Sequence, residues 1–226
     1  MRFRDRAEAG RMLGRALGRY KGQKPVILAL PRGGVAVAAE VASALDAPLD
    51  IVLVRKIGAP IQPELALGAV VDGAEPIIER NPPIIESTAT TEEEFQSLCE
   101  SELKEIGRRR KLYVGERSSV DLEGRLVIIV DDGIATGATM RAAIRAIRIR
   151  KPKTLVLAVP VASADALETL QPEVDVVICL TDLGPWGAIG YFYDDFQQLT
   201  DRDVVEMLAL FPSPQVEVSP ALAPER

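Results

Sequence analysis

Two adjacent carboxylates close an apolar run: Val127-Ile128-Ile129-Val130 leads into Asp131-Asp132, and Gly133-Ile134-Ala135-Thr136-Gly137-Ala138-Thr139 comes next. A buried strand ending in acids also describes a Walker B element. The chain has no Gly-Lys-Ser/Thr loop to accompany one, and no Gly-x-Gly-x-x-Gly after a strand. The loop beyond the acids is more specific. Gly133 and Gly137 let the backbone turn sharply, Ala135 and Ala138 leave it uncrowded, and Thr136 and Thr139 add hydroxyl donors. Amides exposed where the next helix begins form an anion site suited to a phosphate monoester. The two carboxylates would repel a phosphate but can accept hydrogen bonds from a neutral diol. A phosphate beside a vicinal diol describes a ribose 5-phosphate.

The remaining candidates are cationic or aromatic. Pro31-Arg32-Gly33-Gly34 stops one apolar run, and Arg55-Lys56 comes after another. The net charge of −6 argues against broad nucleic-acid binding, so a polyanionic small ligand needs a local cationic cluster. Arg32, Arg55 and Lys56 can supply one. Trp186, Tyr191, Phe192, Tyr193 and Phe196 crowd into a short late segment, which fits a small hood core or a stacking surface for a planar base, with Trp186 the foremost candidate for stacking. The chain has no histidine, which excludes Ser-His-Asp and Cys-His catalysis and the common imidazole zinc sites. With two distant cysteines there is neither a disulfide framework nor a cysteine metal site.

These residues must be positioned by an α/β framework. The 226 residues suffice for one α/β domain, and 47% hydrophobic content with only 4% aromatics means a core of Val, Ile, Leu and Ala. That composition suits parallel strands buried on both faces. Asp5–Tyr20 reads as a helix capped by Asp5, with Glu8 three residues on. Strand 26–30, helix 35–45 and strand 49–54 form a βαβ unit, which implies a right-handed crossover. Residues 57–91 carry many Gly and Pro and are expected to be loops, with a short ribbon near 69–71 and 77–78. A long helix is expected over Thr91–Tyr113, acidic at its start and basic at its end, as the helix dipole favours. Strand 126–130, a helix to about Arg150, strand 154–159, a helix over 165–170 and strand 174–179 complete a doubly wound, mainly parallel five-stranded sheet, with ligands at its C-terminal edge. Residues 213–226 read as a disordered Pro-rich tail. No apolar run reaches the ~20 residues of a membrane span, and residues 1–6 lack a signal-peptide core, so cytoplasmic residence is the expectation.

Val127–Thr139 resembles the ribose-phosphate signature of the type I phosphoribosyltransferases, and Asp5–Gly18, Leu30–Gly68 and Leu126–Leu210 are similar to members usually described only as predicted phosphoribosyltransferases, with the domain expected over 1–212. The resemblance implies binding of 5-phosphoribosyl-1-pyrophosphate (PRPP) with Mg2+. Asp131 and Asp132 would hold the ribose hydroxyls, and Gly133 and Ala135-Thr136-Gly137-Ala138-Thr139 would wrap the 5-phosphate. Arg32, Gly33 and Gly34 correspond to the family's pyrophosphate loop, which often contains a non-proline cis peptide. Arg55-Lys56 is similar to the Arg-Lys pair of adenine phosphoribosyltransferases. The implied catalytic set is Asp131, Asp132, Arg32 and Lys56. The hood would come from the N-terminal segment and about 183–200, with Trp186 and Ile189 at the acceptor and Asp194 at the metal. Ala135 stands where 6-oxopurine enzymes carry an acid, yet Ile189–Asp194 resembles their hood. The implied reaction moves a phosphoribosyl group to a small nitrogenous, nucleobase-like acceptor, and a homo-oligomer is compatible with it. The alternatives are a PRPP- or nucleotide-sensing regulator without catalysis, and a hydrolase that uses water as acceptor.

Overall fold

The structure is a computed structural model that describes residues 1–62, 65–73, 76–115, 119–184 and 187–211. Helix α1 (Arg6–Ala16) leads to β1 (Val26–Ala29), α2 (Gly33–Leu45) and β2 (Leu49–Ile51). Then come β3 (Val54–Gly58), β4 (Ala66–Val71), β5 (Ile77–Arg80), α3 (Pro82–Ser87) and α4 (Glu92–Val114). The second half runs β6 (Leu126–Val130), α5 (Ala138–Ile149), β7 (Thr154–Ala162), α6 (Ala164–Leu170), β8 (Val176–Asp182) and α7 (Asp201–Ala209).

Five strands form one sheet in the order β2-β1-β6-β7-β8, every neighbouring pair parallel. Alternation along the strands divides the core between the two faces. Ile27, Ala29, Ile128 and Val130 join one cluster with Val35, Phe95 and Val204 of the helices. Val26, Leu28, Val127 and Ile129 join another with Ile144 and Ile147 of α5. Both faces are covered, which is why β6 needs no polar residue before Asp131. The α/β, doubly wound reading therefore holds, and both acids leave the C-terminal end of a central strand.

Two helix starts come directly from the sequence. Asp5 Oδ1 accepts from the Glu8 amide at 2.7 Å, capping α1. Thr91 and Glu94 form a reciprocal capping box at the start of α4.

In the segment 57–91 the expected ribbon near 69–71 and 77–78 is present as the β4–β5 pair, but the strands are more extensive than the loop expectation allowed. The sheet strand β2 ends at Ile51, and Val54–Gly58 instead opens a separate antiparallel sheet, β3-β4-β5. Arg55 and Lys56 thus lie inside β3 rather than just beyond the second main strand. The chain leaves the first sheet because the Leu53 amide donates to Asp72 Oδ1 at 2.8 Å, across to the end of β4. Asp72 is buried, and Arg110 of α4 donates to its second oxygen. The small sheet is thereby fixed to α4. Helix α7 has no counterpart in the sequence reading; it packs Val204 and Leu208 into the α2–α4 side of the core. The expected tail, 213–226, lies outside the described residues.

Candidate active site

Asp131 and Asp132 turn away from β6 together, with the Asp132 amide donating to Asp131 Oδ1 at 2.8 Å. Burial and the neighbouring Asp132 charge push the Asp131 carboxyl well above the usual carboxylate range. Against this pair lies the start of α2. A Cβ at Gly33 would sit 1.9 Å from Asp132 Oδ2, and one at Gly34 would sit 3.0 Å from Asp131 Oδ1. Only glycine permits that approach, so the loop after β1 and the acids after β6 form one wall. A non-proline cis peptide is present at Pro31–Arg32, one bond before the Arg32–Gly33 link.

The loop after the acids is pinned at its first half and open at its second. The Ile134 amide donates to Val161 O at 2.9 Å, and Ser163 Oγ donates to Ala135 O at 2.6 Å. Gly133 is buried beneath Ile189, whose Cγ2 would lie 2.5 Å from a Cβ there. Ala135, Thr136, Ala138 and Thr139 are exposed. Gly137 sits at the cap of α5 with φ +77°, a left-handed conformation, and no side chain caps that helix. The first amides of α5 therefore face the mouth of the site, where an anion can take them.

The three cations are placed differently from one another. Arg55 reaches a void of about 30 Å³ that it shares with Pro31, Arg109 and Thr139, so the loops after β1 and β6 and strand β3 converge there. Its Nε donates to Glu102 Oε2 at 2.6 Å. Arg32 points toward α7, with Nη1 3.8 Å from Asp201 Oδ1. Lys56 lines a separate cleft of about 290 Å³ between the small sheet and α5, along with Ala138, Thr139, Arg80 and Arg141. Val54 and Thr139 line both spaces.

Above the acids sits the hood. Phe3 and Tyr193 are buried together with Val161 and Leu183, and the Phe3 amide donates to Phe192 O at 2.7 Å. Tyr193 Oη donates to the Asp132 carbonyl at 2.6 Å, and burial raises its phenol pKa, so it stays a neutral donor. Ile189 is half-buried over Gly133. Asp194 is exposed and pairs with Arg2 at 2.7 Å, on the hood's outer rim. Trp186 lies outside the described residues. Among the described residues no group of three carboxylates, cysteines or histidines is arranged to hold a metal.

One neighbour of the acid pair escapes the sequence reading. Arg6 Nε donates to Asp132 Oδ2 at 2.7 Å, with both side chains largely buried. Its sequence signal is a basic residue in the first turn of α1, where the dipole disfavours it.

The fold and site define an α/β domain with its candidate site at the C-terminal edge of a parallel sheet. The family model of the phosphoribosyl transferase domain matches residues 6–194, and the chain belongs to that family. It is 42% identical to the Thermus thermophilus protein TT1426, a crystal structure, covering 93% of this chain and 99% of that one at a TM-score of 0.76. A Mycobacterium tuberculosis protein provisionally named as a phosphoribosyl transferase is 40% identical over 206 residues, 91% of this chain but 46% of its own length. The chain thus spans about half the length of that curated relative. A Neisseria gonorrhoeae protein crystallised with bound ppGpp shares the fold at 13% identity, with a TM-score of 0.50 and coverage of 93% and 98%.

Proposed function

We propose that the protein binds PRPP with Mg2+ and transfers its phosphoribosyl group to a small nitrogenous, nucleobase-like acceptor, releasing pyrophosphate. The observation that carries this reading is the contact of Gly33 with the Asp132 carboxylate, 1.9 Å from the site of a Cβ. It joins a pyrophosphate-type loop to a diol-binding pair, one short loop away from the amides of α5.

In this reading Asp131 and Asp132 accept from the ribose hydroxyls, while residues 135–139 wrap the 5-phosphate. Holding both ends of the sugar fixes C1 toward the acceptor. The bond from C1 to the pyrophosphate oxygen breaks and a bond to the acceptor nitrogen forms. Negative charge grows on the leaving group, beside Arg32 and the amides of Gly33 and Gly34, with Arg55 and Lys56 on the neighbouring strand. The fit to Mg2+ rests on donor chemistry: this ion uses one or two carboxylates plus substrate phosphates rather than an all-protein cage. Asp131 and Asp132 would offer it oxygens, Asp194 would have to leave its pair with Arg2 to join them, and the bound ion would neutralise pyrophosphate charge. Ile189, seated over Gly133, and Trp186 are the proposed acceptor contacts. Among the described residues no helix is long and apolar enough to cross a membrane, and we place the reaction in the cytoplasm.

A specific observation favours a second reading, a PRPP- or nucleotide-sensing regulator. Arg32 and Arg55 are each turned to an acid, Asp201 and Glu102, rather than to one shared pyrophosphate position. One experiment tests both: calorimetry with Mg2+·PRPP, then pyrophosphate release with a panel of nucleobases and with water alone. Binding in the range usual for substrates, roughly 1 μM–1 mM, with base-dependent release supports the transferase. Binding without release supports the regulator, and release with water alone marks a hydrolase. No heat at millimolar PRPP would end the proposal.

A further inference from the structure

Arg6 is a charge in the wrong place for its own helix. It is the first residue of α1, where the positive end of the dipole favours acids, and Asp5 and Glu8 already serve that turn. Its side chain is only 11% exposed. Local helix physics does not explain a buried cation there, but its contacts do.

The guanidinium is held in three directions. Nε donates to Asp132 Oδ2 at 2.7 Å, and Nη1 donates to the Gln197 carbonyl at 2.9 Å. The face of the group lies 3.9 Å from the centre of the Phe196 ring, which itself stacks on Tyr193. Tyr193 in turn donates to the Asp132 carbonyl. One side of Asp132 is therefore tied to the hood twice, through its carboxylate and through its backbone. Arg6 engages Oδ2, the oxygen packed against Gly33, and not Oδ1.

We propose that Arg6 is a positioning residue of the ribose site, which holds the Asp132 carboxylate in its binding orientation and ties the hood to the sugar's hydroxyls. This rests on the reading of Asp131 and Asp132 as the diol acceptors. A carboxylate that must accept from a hydroxyl has to present a fixed oxygen, and rotation about its Cβ–Cγ bond would cancel that. Arg6 and Gly33 meet the same oxygen, Oδ2, one by a hydrogen bond and the other by close packing, and together they hold the carboxylate against that rotation. A fork is required, since two donors point to two segments, and lysine offers only one compact charge.

The test measures binding of ribose 5-phosphate, inorganic phosphate and pyrophosphate by calorimetry. The chains compared are the parent, Arg6→Ala, Arg6→Lys, Asp132→Asn and the Arg6→Ala/Asp132→Asn pair, each checked for a cooperative melt. The parent should bind ribose 5-phosphate more tightly than inorganic phosphate. Arg6→Ala should weaken ribose 5-phosphate at least about tenfold, while the two sugar-free anions stay within about twofold. Arg6→Lys should lie between the two, and it carries the test if the alanine variant does not fold. In the Asp132→Asn background Arg6→Ala should add little, because the two residues act as one unit. Equal weakening of all three ligands would reduce Arg6 to a scaffold residue and overturn the inference. Unchanged or tighter ribose 5-phosphate binding in Arg6→Ala, or full parental binding in Arg6→Lys, would overturn it as well. A parent that does not prefer ribose 5-phosphate to inorganic phosphate overturns the ribose-site reading itself, and the inference with it.

Discussion

Gly33→Ala tests the joint between the two halves of the site. The new methyl would lie 1.9 Å from Asp132 Oδ2, 2.5 Å from Cγ and 3.0 Å from Oδ1. Real contacts are well beyond 3 Å, so the carboxylate has to swing away or α2 has to retreat. Swinging breaks the 2.7 Å bond to Arg6, whose side chain is only 11% exposed. Overpacking a well-packed site costs about 1–3 kcal/mol. For a domain of this size that lowers the melting temperature by roughly 2–4 °C per kcal/mol. A charge-assisted hydrogen bond lost from a ligand contributes about 1.5–3 kcal/mol, so sugar-phosphate affinity should fall by roughly 10- to 150-fold. Scanning calorimetry and titration with ribose 5-phosphate measure both numbers. Gly18→Ala is the control, because nothing lies within 4 Å of a Cβ there. A Gly33→Ala protein with parental melting temperature and parental affinity would refute the close approach, and with it the argument that one wall holds both ligand halves.

Three further outcomes are expected. Asp131→Asn should fold and lose PRPP binding, whereas Asp132→Asn should also destabilise by up to about 3–5 kcal/mol, since it leaves a buried Arg6 unpaired; equal melting of the two variants would count against the Arg6 pairing. Lys56→Ala should weaken PRPP and pyrophosphate by about tenfold and ribose 5-phosphate little, because Lys56 lines the cleft beside α5, whose lining does not include Asp131 or Asp132; a competition series in which all three fall equally removes the specific role. Arg80 holds the Glu92 carboxyl down to about 2 from its ordinary 4.5, and a depressed carboxylate stabilises above its unfolded value and stops doing so as pH falls through its folded one. The stability gap between the parent and Glu92→Gln should therefore close between about pH 4.5 and pH 2, as urea melts at several pH values can show, and a gap constant through that window excludes the linkage.

The main sheet is legible because its strands are buried on both faces and read as unbroken apolar runs, such as Val127–Val130. Of the small sheet only the ribbon near 69–71 and 77–78 is legible, and the rest hides for the opposite reason. Its strands carry glycine and charge, and Gly68 reads as loop punctuation. In the structure Gly68 is a strand residue whose Cβ would meet Glu79 O at 2.1 Å. The glycine serves tight pairing of β4 with β5, not a turn. Arg55 and Lys56 consequently read as the end of a strand in the parallel sheet, when they occupy consecutive positions of β3 and so point to opposite faces. That alternation explains why Arg55 reaches Glu102 and the Pro31 void while Lys56 lines the cleft beside α5.

The acid pair shows where local reading stops. Asp131-Asp132 announces a site through residue type and spacing alone, but two adjacent carboxylates at the end of a buried strand repel one another and lose hydration. Such a pair is relieved by the raised proton affinity of Asp131 and by a counter-charge from elsewhere, and nothing within the loop 133–139 carries one. The cation arrives from 126 residues away, on a helix whose own start disfavours it. Those two local anomalies, an uncompensated acid pair and a misplaced arginine, have one common resolution. A sequence offers each anomaly separately. Their meeting depends on α1 packing along α2, and α2 beginning at the glycine that touches Asp132, so the pairing belongs to the fold and the chemistry inherits it.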